Sequence, residues 1–395
     1  MTATLSRCLL GLAILTLLAA CTETRDLPSV PSLSEPSASI APDHSAATAP
    51  SPRGYSLMTY DPTQNRVYLI GGFSTLCWDN CDGIALLDLW SYNPRSRRWA
   101  EIANVGSPDR DALALDVKSR KIVVYQPFVD PIETWAYDLD TGVWENRHPA
   151  VQPPARWGSM MVYDPKADRV LLYGGANLFT GDVLGDLWAY DYETNTWTEL
   201  HPAVSPPPHH YPALAYVPTI DRVVLFGGFQ QGFESLFNDT WAYDYHRNRW
   251  TNLHPRNPPP PRVYHVMAFE PATNRLVMFG GILDPTNWPN EPTINETWIY
   301  DVARNRWSQA LPEQPPSPRA WHGMSGTNGA VMIFGGGPSR FAYTSDTYVY
   351  SSRSNRWERV AGDGAGSAPA GIAAPTPGAV GGGGVGRSGG RRRGH

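Results

Sequence analysis

Six acidic residues recur in one pattern along this 395-residue chain: Asp88, Glu133, Asp186, Asp239, Glu296 and Asp346 each stand two positions before a Trp or Tyr. A basic residue recurs upstream of them, as Arg53, Arg156, His209, Arg262 and Arg319, with Arg110 slightly displaced. Two chemistries fit. The groups can pair with each other, which at an exposed site contributes about 0–1 kcal/mol per pair. Alternatively, arginines left over can grip a carboxylate or sulfate of a ligand through their forked donors. His210, His265 and His322 follow the basic residues in three successive units. Three converging imidazoles suit a metal, and a repeated packing position suits them equally. Tyr55, Trp157, Tyr211, Tyr264 and Trp321 lie beside them. Rings next to hydrogen-bonding side chains make a sugar or peptide site, and internal packing uses the same rings. Trp78 and Trp288 have no counterpart in the other units, which makes them the better ligand contacts. No nucleophile elbow, zinc-helix motif or phosphate loop is present.

The elements that carry these residues repeat. An apolar stretch ends in a glycine doublet at RVYLIGG (66–72), RVLLYGG (169–175), RVVLFGG (222–228), RLVMFGG (275–281) and AVMIFGG (330–336). A second half follows, as in DLWAYDYETNTW (186–197) and ETWIYDVARNRW (296–307). Its closing tryptophans are Trp99, Trp144, Trp197, Trp250, Trp307 and Trp357, spaced 45 to 57 residues apart. β-Branched and aromatic residues over five or six positions are strand chemistry. Segments such as YDPKADR and FEPATNR are turns, with an acid that bonds its own backbone followed by Pro. The doublet predicts positive φ where a strand ends.

The doublet and the aromatic pair, recurring in register over residues 53–360, resemble kelch repeats. The resemblance implies an all-β fold, a six-bladed β-propeller of four-stranded antiparallel blades. Unit 2 departs from the pattern, with Gln126-Pro127 in place of the glycines. Each blade is complete within one sequence unit, so no strand exchange between the termini is expected. Alternating strand directions put the strand 2–3 loops and the blade-to-blade links on one face, the short strand 1–2 and 3–4 turns on the other. All the length variation lies on the loop face, where function concentrates on rigid scaffolds. Its longest loops are in blades 1 and 5, and its histidines in blades 4 to 6. A ligand is therefore expected over blades 5, 6 and 1, touched by Trp78, Trp288, Arg262, His265, Arg319 and His322.

Outside the repeats the chain reads differently. Leu9 to Leu18 is an apolar run of signal-peptide length after Arg7, too short to span a bilayer comfortably. It ends in Leu18-Ala19-Ala20-Cys21, which resembles the lipobox of bacterial lipoproteins. That resemblance implies a signal peptide over 1–20, acylation of Cys21 and, with Thr22 next, an outer-membrane lipoprotein. Residues 21–52 are a Pro/Ser/Ala-rich tether and 361–395 a Gly/Arg-rich tail, neither able to bury enough apolar surface to fold. In an oxidising compartment Cys77 and Cys81 are expected to form a disulfide. Two thiols are too few for structural zinc, and neither metal nor cofactor is expected. A formal net charge of −5 without a basic face argues against nucleic acid. The expected role is a monomeric, lipid-anchored binding module for a carbohydrate, peptide or envelope protein. The alternative is a carbohydrate-active enzyme, either a sugar epimerase or lyase or a galactose-oxidase-like copper oxidase, since kelch propellers carry such enzymes.

Overall fold

The computed structural model describes residues 49–74, 84–103, 111–230, 235–286 and 292–361. They form six four-stranded antiparallel sheets, each built from consecutive strands. Blade 1 comprises Leu57–Asp61, Arg66–Ile70, Leu89–Asn93 and Arg98–Ala103. Blade 2 comprises Ala112–Asp116, Lys121–Gln126, Glu133–Asp138 and Trp144–Asn146. Blade 3 comprises Met160–Asp164, Arg169–Tyr173, Leu187–Asp191 and Thr196–Leu200. Blade 4 comprises Ala213–Val217, Arg222–Phe226, Thr240–Asp244 and Arg249–Asn252. Blade 5 comprises Val266–Glu270, Arg275–Phe279, Thr297–Asp301 and Arg306–Ala310. Blade 6 comprises Gly323–Gly326, Val331–Phe334, Thr347–Ser351 and Arg356–Ala361. The innermost strands touch in cyclic order, with blade 6 meeting blade 1. This is a six-bladed β-propeller.

The turns follow from their residues. In blade 3 the Asp164 carboxylate accepts the amides of Lys166 and Ala167, both at 3.0 Å. The turn then closes on Asp168, whose φ is 57°, and whose carboxylate accepts the Tyr163 hydroxyl at 2.9 Å. Short polar side chains tolerate this left-handed backbone because they can bond locally. The outer turns repeat the device, with Tyr190, Tyr243, Tyr300 and Tyr350 donating to Asn195, Asn248, Asn305 and Asn355.

Blades adhere through the closing tryptophans. Each of Trp99, Trp197, Trp250, Trp307 and Trp357 packs on the last aromatic of strand 2 of the preceding blade: Phe334, Tyr125, Tyr173, Phe226 and Phe279. Burying a large apolar side chain of this kind contributes about 1.5–3 kcal/mol. Four of these indoles also donate to a threonine in the first two positions of strand 3 of that same preceding blade. Trp99 reaches Thr347 at 3.0 Å, Trp197 Thr134 at 2.9 Å, Trp307 Thr240 at 3.1 Å and Trp357 Thr297 at 2.9 Å. Where leucine stands instead, at Leu89 and Leu187, the next indole nitrogens, of Trp144 and Trp250, are buried without a partner. The Trp99–Thr347 bond shows that the closing seam uses the interface of the internal ones. An exposed Arg97–Glu358 ion pair crosses it as well.

At the loop face the glycine doublet bends strand 2. Gly280 and Gly281 have φ of 70° and 100°. A Cβ on Gly281 would lie 2.8 Å from the Val263 carbonyl oxygen. Beyond the bend the pairing with the segment before strand 1 resumes for one residue, as Gly54–Phe73, His210–Phe229, Val263–Ile282 and Ala320–Gly337. In blade 3 it lasts two, with Arg156–Trp157 against Ala176–Asn177. Blade 2 lacks the bend: its strand 2 runs on to Gln126, which pairs with Glu133.

Candidate functional site: the loop face and the mouth of the channel

The two charged rings meet. Arg53 contacts Asp88 at 2.5 Å, Arg156 Asp186 at 2.6 Å, His209 Asp239 at 3.3 Å, Arg262 Glu296 at 2.6 Å and Arg319 Asp346 at 2.6 Å. Each arginine also donates to the first carbonyl of its own glycine doublet, Gly71, Gly174, Gly280 or Gly335. Its Nε takes the carbonyl two residues upstream, at Ser51, Pro154, Pro260 or Ser317. One guanidinium thus ties together the start of strand 1, the end of strand 2 and the start of strand 3. All four arginines are fully buried. The acids accept a further donor from strand 3, as with Trp90 on Asp88 and Trp298 on Glu296. Burial pushes the Asp88 and Asp346 carboxyls up, but hydrogen bonds and charge from Arg53 and Arg319 outweigh it and hold both below the usual range. Removing one partner of such a pair would strand a buried charge, costing about 3–5 kcal/mol. Arg262 and Arg319, expected among the ligand contacts, therefore spend their donors inside their own blades.

His265 and His322 are buried against the preceding blade. A Cβ on Gly227 would come 2.7 Å from the His265 ring, and one on Gly280 would come 3.0 Å from the His322 ring. Burial pushes His265 down to about 3 and holds His322 well below its ordinary value. They are neutral spacers between blades. Among the described residues no three His, Cys, Asp or Glu side chains group as metal ligands. Trp78, Trp288, Arg110, Cys21, Cys77 and Cys81 lie outside the described residues.

Blade 2 puts an acid where blades 5 and 6 put these histidines. Asp111 accepts the amides of Gly158 and Ser159 and the Ser159 hydroxyl, stapling blade 2 to blade 3. Burial pushes it up to about 6 against those bonds. The repeat alignment marks this position, but unit 2 is the irregular one and masks the equivalence.

The aromatic residues do something the repeat pattern does not announce. Their rings turn inward and meet on the propeller axis. Tyr55 of blade 1 lies 6.5 Å from Tyr211 of blade 4, the blade opposite. Tyr211 touches Tyr264 at 4.7 Å, Tyr264 touches Trp321 at 5.5 Å, and Trp321 returns to Tyr55 at 6.0 Å. Trp157 joins through Tyr211 at 5.8 Å. The backbone pays for this aim. Tyr55, Tyr211, Tyr264 and Trp321 have φ of 57°, 52°, 56° and 59°, a conformation costing about 1–3 kcal/mol each for such residues. In blade 3 Gly158 takes that conformation, and the ring comes from Trp157 one residue earlier. The rings thus close the loop-face end of the channel. Arg340, on the strand 2–3 loop of blade 6, lies over Trp321 and Tyr264, 5.4 and 5.6 Å from their centroids.

Around this plug the loops expose large apolar side chains. Phe179 is 81% exposed and Ile84 70%. Leu87, Phe128, Val129 and Leu283 are exposed on the same class of loop, and Val151, Val204 and Leu311 on the links. On the turn face, Val143 and Ile220 are the exposed large apolar side chains among the described residues.

The repeat architecture agrees with the comparisons. The profile described as the KLHDC2/KLHL20/DRC7 Kelch-repeats domain matches residues 124–257 and 168–376. The chain belongs to the kelch-repeat family. It is 27% identical over 227 residues to Kelch domain-containing protein 3 of Homo sapiens, covering 55% of this chain and 57% of that protein. It is 25% identical over 266 residues to Kelch domain-containing protein 1 of Mus musculus, covering 58% and 61%. Putative adagio-like protein 2 of Oryza sativa matches at 29% over 164 residues, 40% of this chain and 24% of that protein. The chain spans less than two thirds of the length of these curated relatives. Kelch repeats generally build protein-interaction modules.

Proposed function

We propose that this kelch propeller is exported and lipid-anchored through Cys21, and binds a protein partner with its loop face. The exposed crown of Ile84, Phe128, Val129, Phe179 and Leu283 carries the reading. Exposed large apolar side chains concentrated on one face of a rigid scaffold favour an interaction site there. The arginines and histidines near the channel mouth are paired or buried rather than gathered around a polar pocket, which favours a surface contact over chemistry at that mouth. Export and anchoring rest on Leu18-Ala19-Ala20-Cys21 and the apolar run before it.

Envelope cross-linking followed by mass spectrometry tests the partner. The full chain should capture a protein that Phe128→Glu/Phe179→Glu loses and the turn-face control Val143→Glu keeps. Equal capture by all three removes the loop face from consideration. Cys21→Ala should abolish fatty-acid labelling and release the protein from the membrane fraction. Unchanged mass and fractionation would refute the anchor.

A further inference from the structure

The aromatic plug already holds a cation. Arg340 sits on the blade 6 loop at a tight turn, where the Ala342 amide donates to the Ser339 carbonyl at 3.3 Å. Its guanidinium lies within the roughly 6 Å range of cation–π attraction for two rings that come from other parts of the chain, Tyr264 of blade 5 and Trp321 of the blade 6 entry. Tyr55 and Tyr211 stand half-buried beside these rings, and their strained backbones aim them at the same point. A guanidinium suits such a seat because it is planar and weakly hydrated.

The loop tips around it have a common grammar. Phe128-Val129 is followed by Asp130, Phe179 by Asp182 and Leu283 by Asp284, all exposed. Each tip offers an apolar contact and then a carboxylate. Arg340 is the one Lys or Arg that the strand 2–3 loops carry in the whole sequence. These loops are therefore acidic and apolar, and the cation among them belongs to a short loop of the protein itself.

We propose that the mouth of the channel is a guanidinium-binding cage, occupied at rest by Arg340, that admits an arginine side chain of a basic, apolar-rich polypeptide partner when the Arg340 loop swings away. This rests on the loop-face reading and names the chemistry of its partner. Arg340 acts as the resting ligand and sets the threshold for binding, since an incoming arginine must displace it. The acidic tips attract the partner and orient it.

The test uses the full chain and a single capped residue as probe, N-acetyl-arginine amide, with its neutral isostere N-acetyl-citrulline amide. Binding is followed by calorimetry and Trp fluorescence. Arg340→Gln should bind the arginine probe saturably, at least tenfold more tightly than the parent and tenfold more tightly than citrulline. Non-saturable binding equal to that of the parent overturns the proposal, and so does equal affinity for citrulline. If Arg340→Gln folds poorly, the probe acts as a rescue. Arginine amide should then raise its unfolding temperature and citrulline amide should not, and failure of both to do so is equally fatal. Because the probe is one residue, its failure leaves the loop-face reading standing, to be judged by the Phe128/Phe179 experiment.

Discussion

Thr297→Val should destabilise the propeller although it barely changes side-chain volume. Thr297 is buried, and its hydroxyl accepts the Trp357 indole across the blade 5–6 interface at 2.9 Å. Valine leaves that N–H buried with no acceptor, at a cost of about 1–3 kcal/mol. Nearly the same indole environment without the bond exists two interfaces away. Trp250 packs on Tyr173 and Tyr243 at 5.3 and 5.0 Å, and Trp357 on Phe279 and Tyr350 at 4.9 Å each, but Trp250 faces Leu187 and its indole nitrogen has no partner. Trp357→Phe should therefore cost about 1 kcal/mol more than Trp250→Phe, the net worth of one such bond. Thr297→Val should add little in a Trp357→Phe background, because the donor has already gone. Urea denaturation followed by far-UV circular dichroism measures all four variants. If Thr297→Val costs the same with and without the Trp357 indole, the bond carries no stability and the account of the interface fails.

Other expectations follow from the same geometry. His265 titrates far below the usual 6.5 in the folded state, at about 3, and His322 is likewise depressed; their contribution is complete above pH 6.5 and drains away as pH falls through 6 and 5. Asp111, raised to about 6, has the opposite sign: its contribution is complete below about pH 4 and fades as pH rises through 6. Burial pushes His210 down to about 3 as well and raises the Asp164 carboxyl, so three depressed histidines stand against two raised aspartates; urea midpoints should fall between pH 6.5 and 4.5, and His265→Gln/His322→Gln should flatten that fall, whereas an unaltered slope would show that these rings are charged or exposed. Gly281→Ala adds a Cβ at φ 100° and 2.8 Å from the Val263 carbonyl oxygen, so it should destabilise by more than the roughly 1 kcal/mol that a strain-free glycine-to-alanine change gains, and a neutral effect on the urea midpoint would contradict the bend. Phe179→Ser, at an exposed loop tip, should change stability by no more than about 0.5 kcal/mol; a larger loss would mean the ring is packed rather than presented.

The fold was legible because each blade is local. Strand, turn and doublet signals lie within about fifty residues, and the same grammar repeats until the reader can align it. The positive φ of the doublet is legible for the same reason, since only glycine adopts it cheaply. The two charged rings were also visible as residue types at a fixed offset, but their pairing was not. Whether Arg262 meets Glu296 or a ligand depends on two strand starts, 34 residues apart, lying side by side in one blade. His265 and His322 show the same limit in another form. A histidine three positions after an arginine is the same letter whether it faces solvent or a glycine of the neighbouring blade, and only the approach of Gly227 and Gly280 decides. The aromatic plug lies furthest from the sequence. Tyr55 and Tyr211 are separated by half the propeller and meet because a closed ring of six blades brings opposite inner strands to one axis. No pattern within a repeat encodes that distance. Closure is a property of the whole ring, and it is closure that converts five separate aromatic residues into a floor and places Arg340 on it.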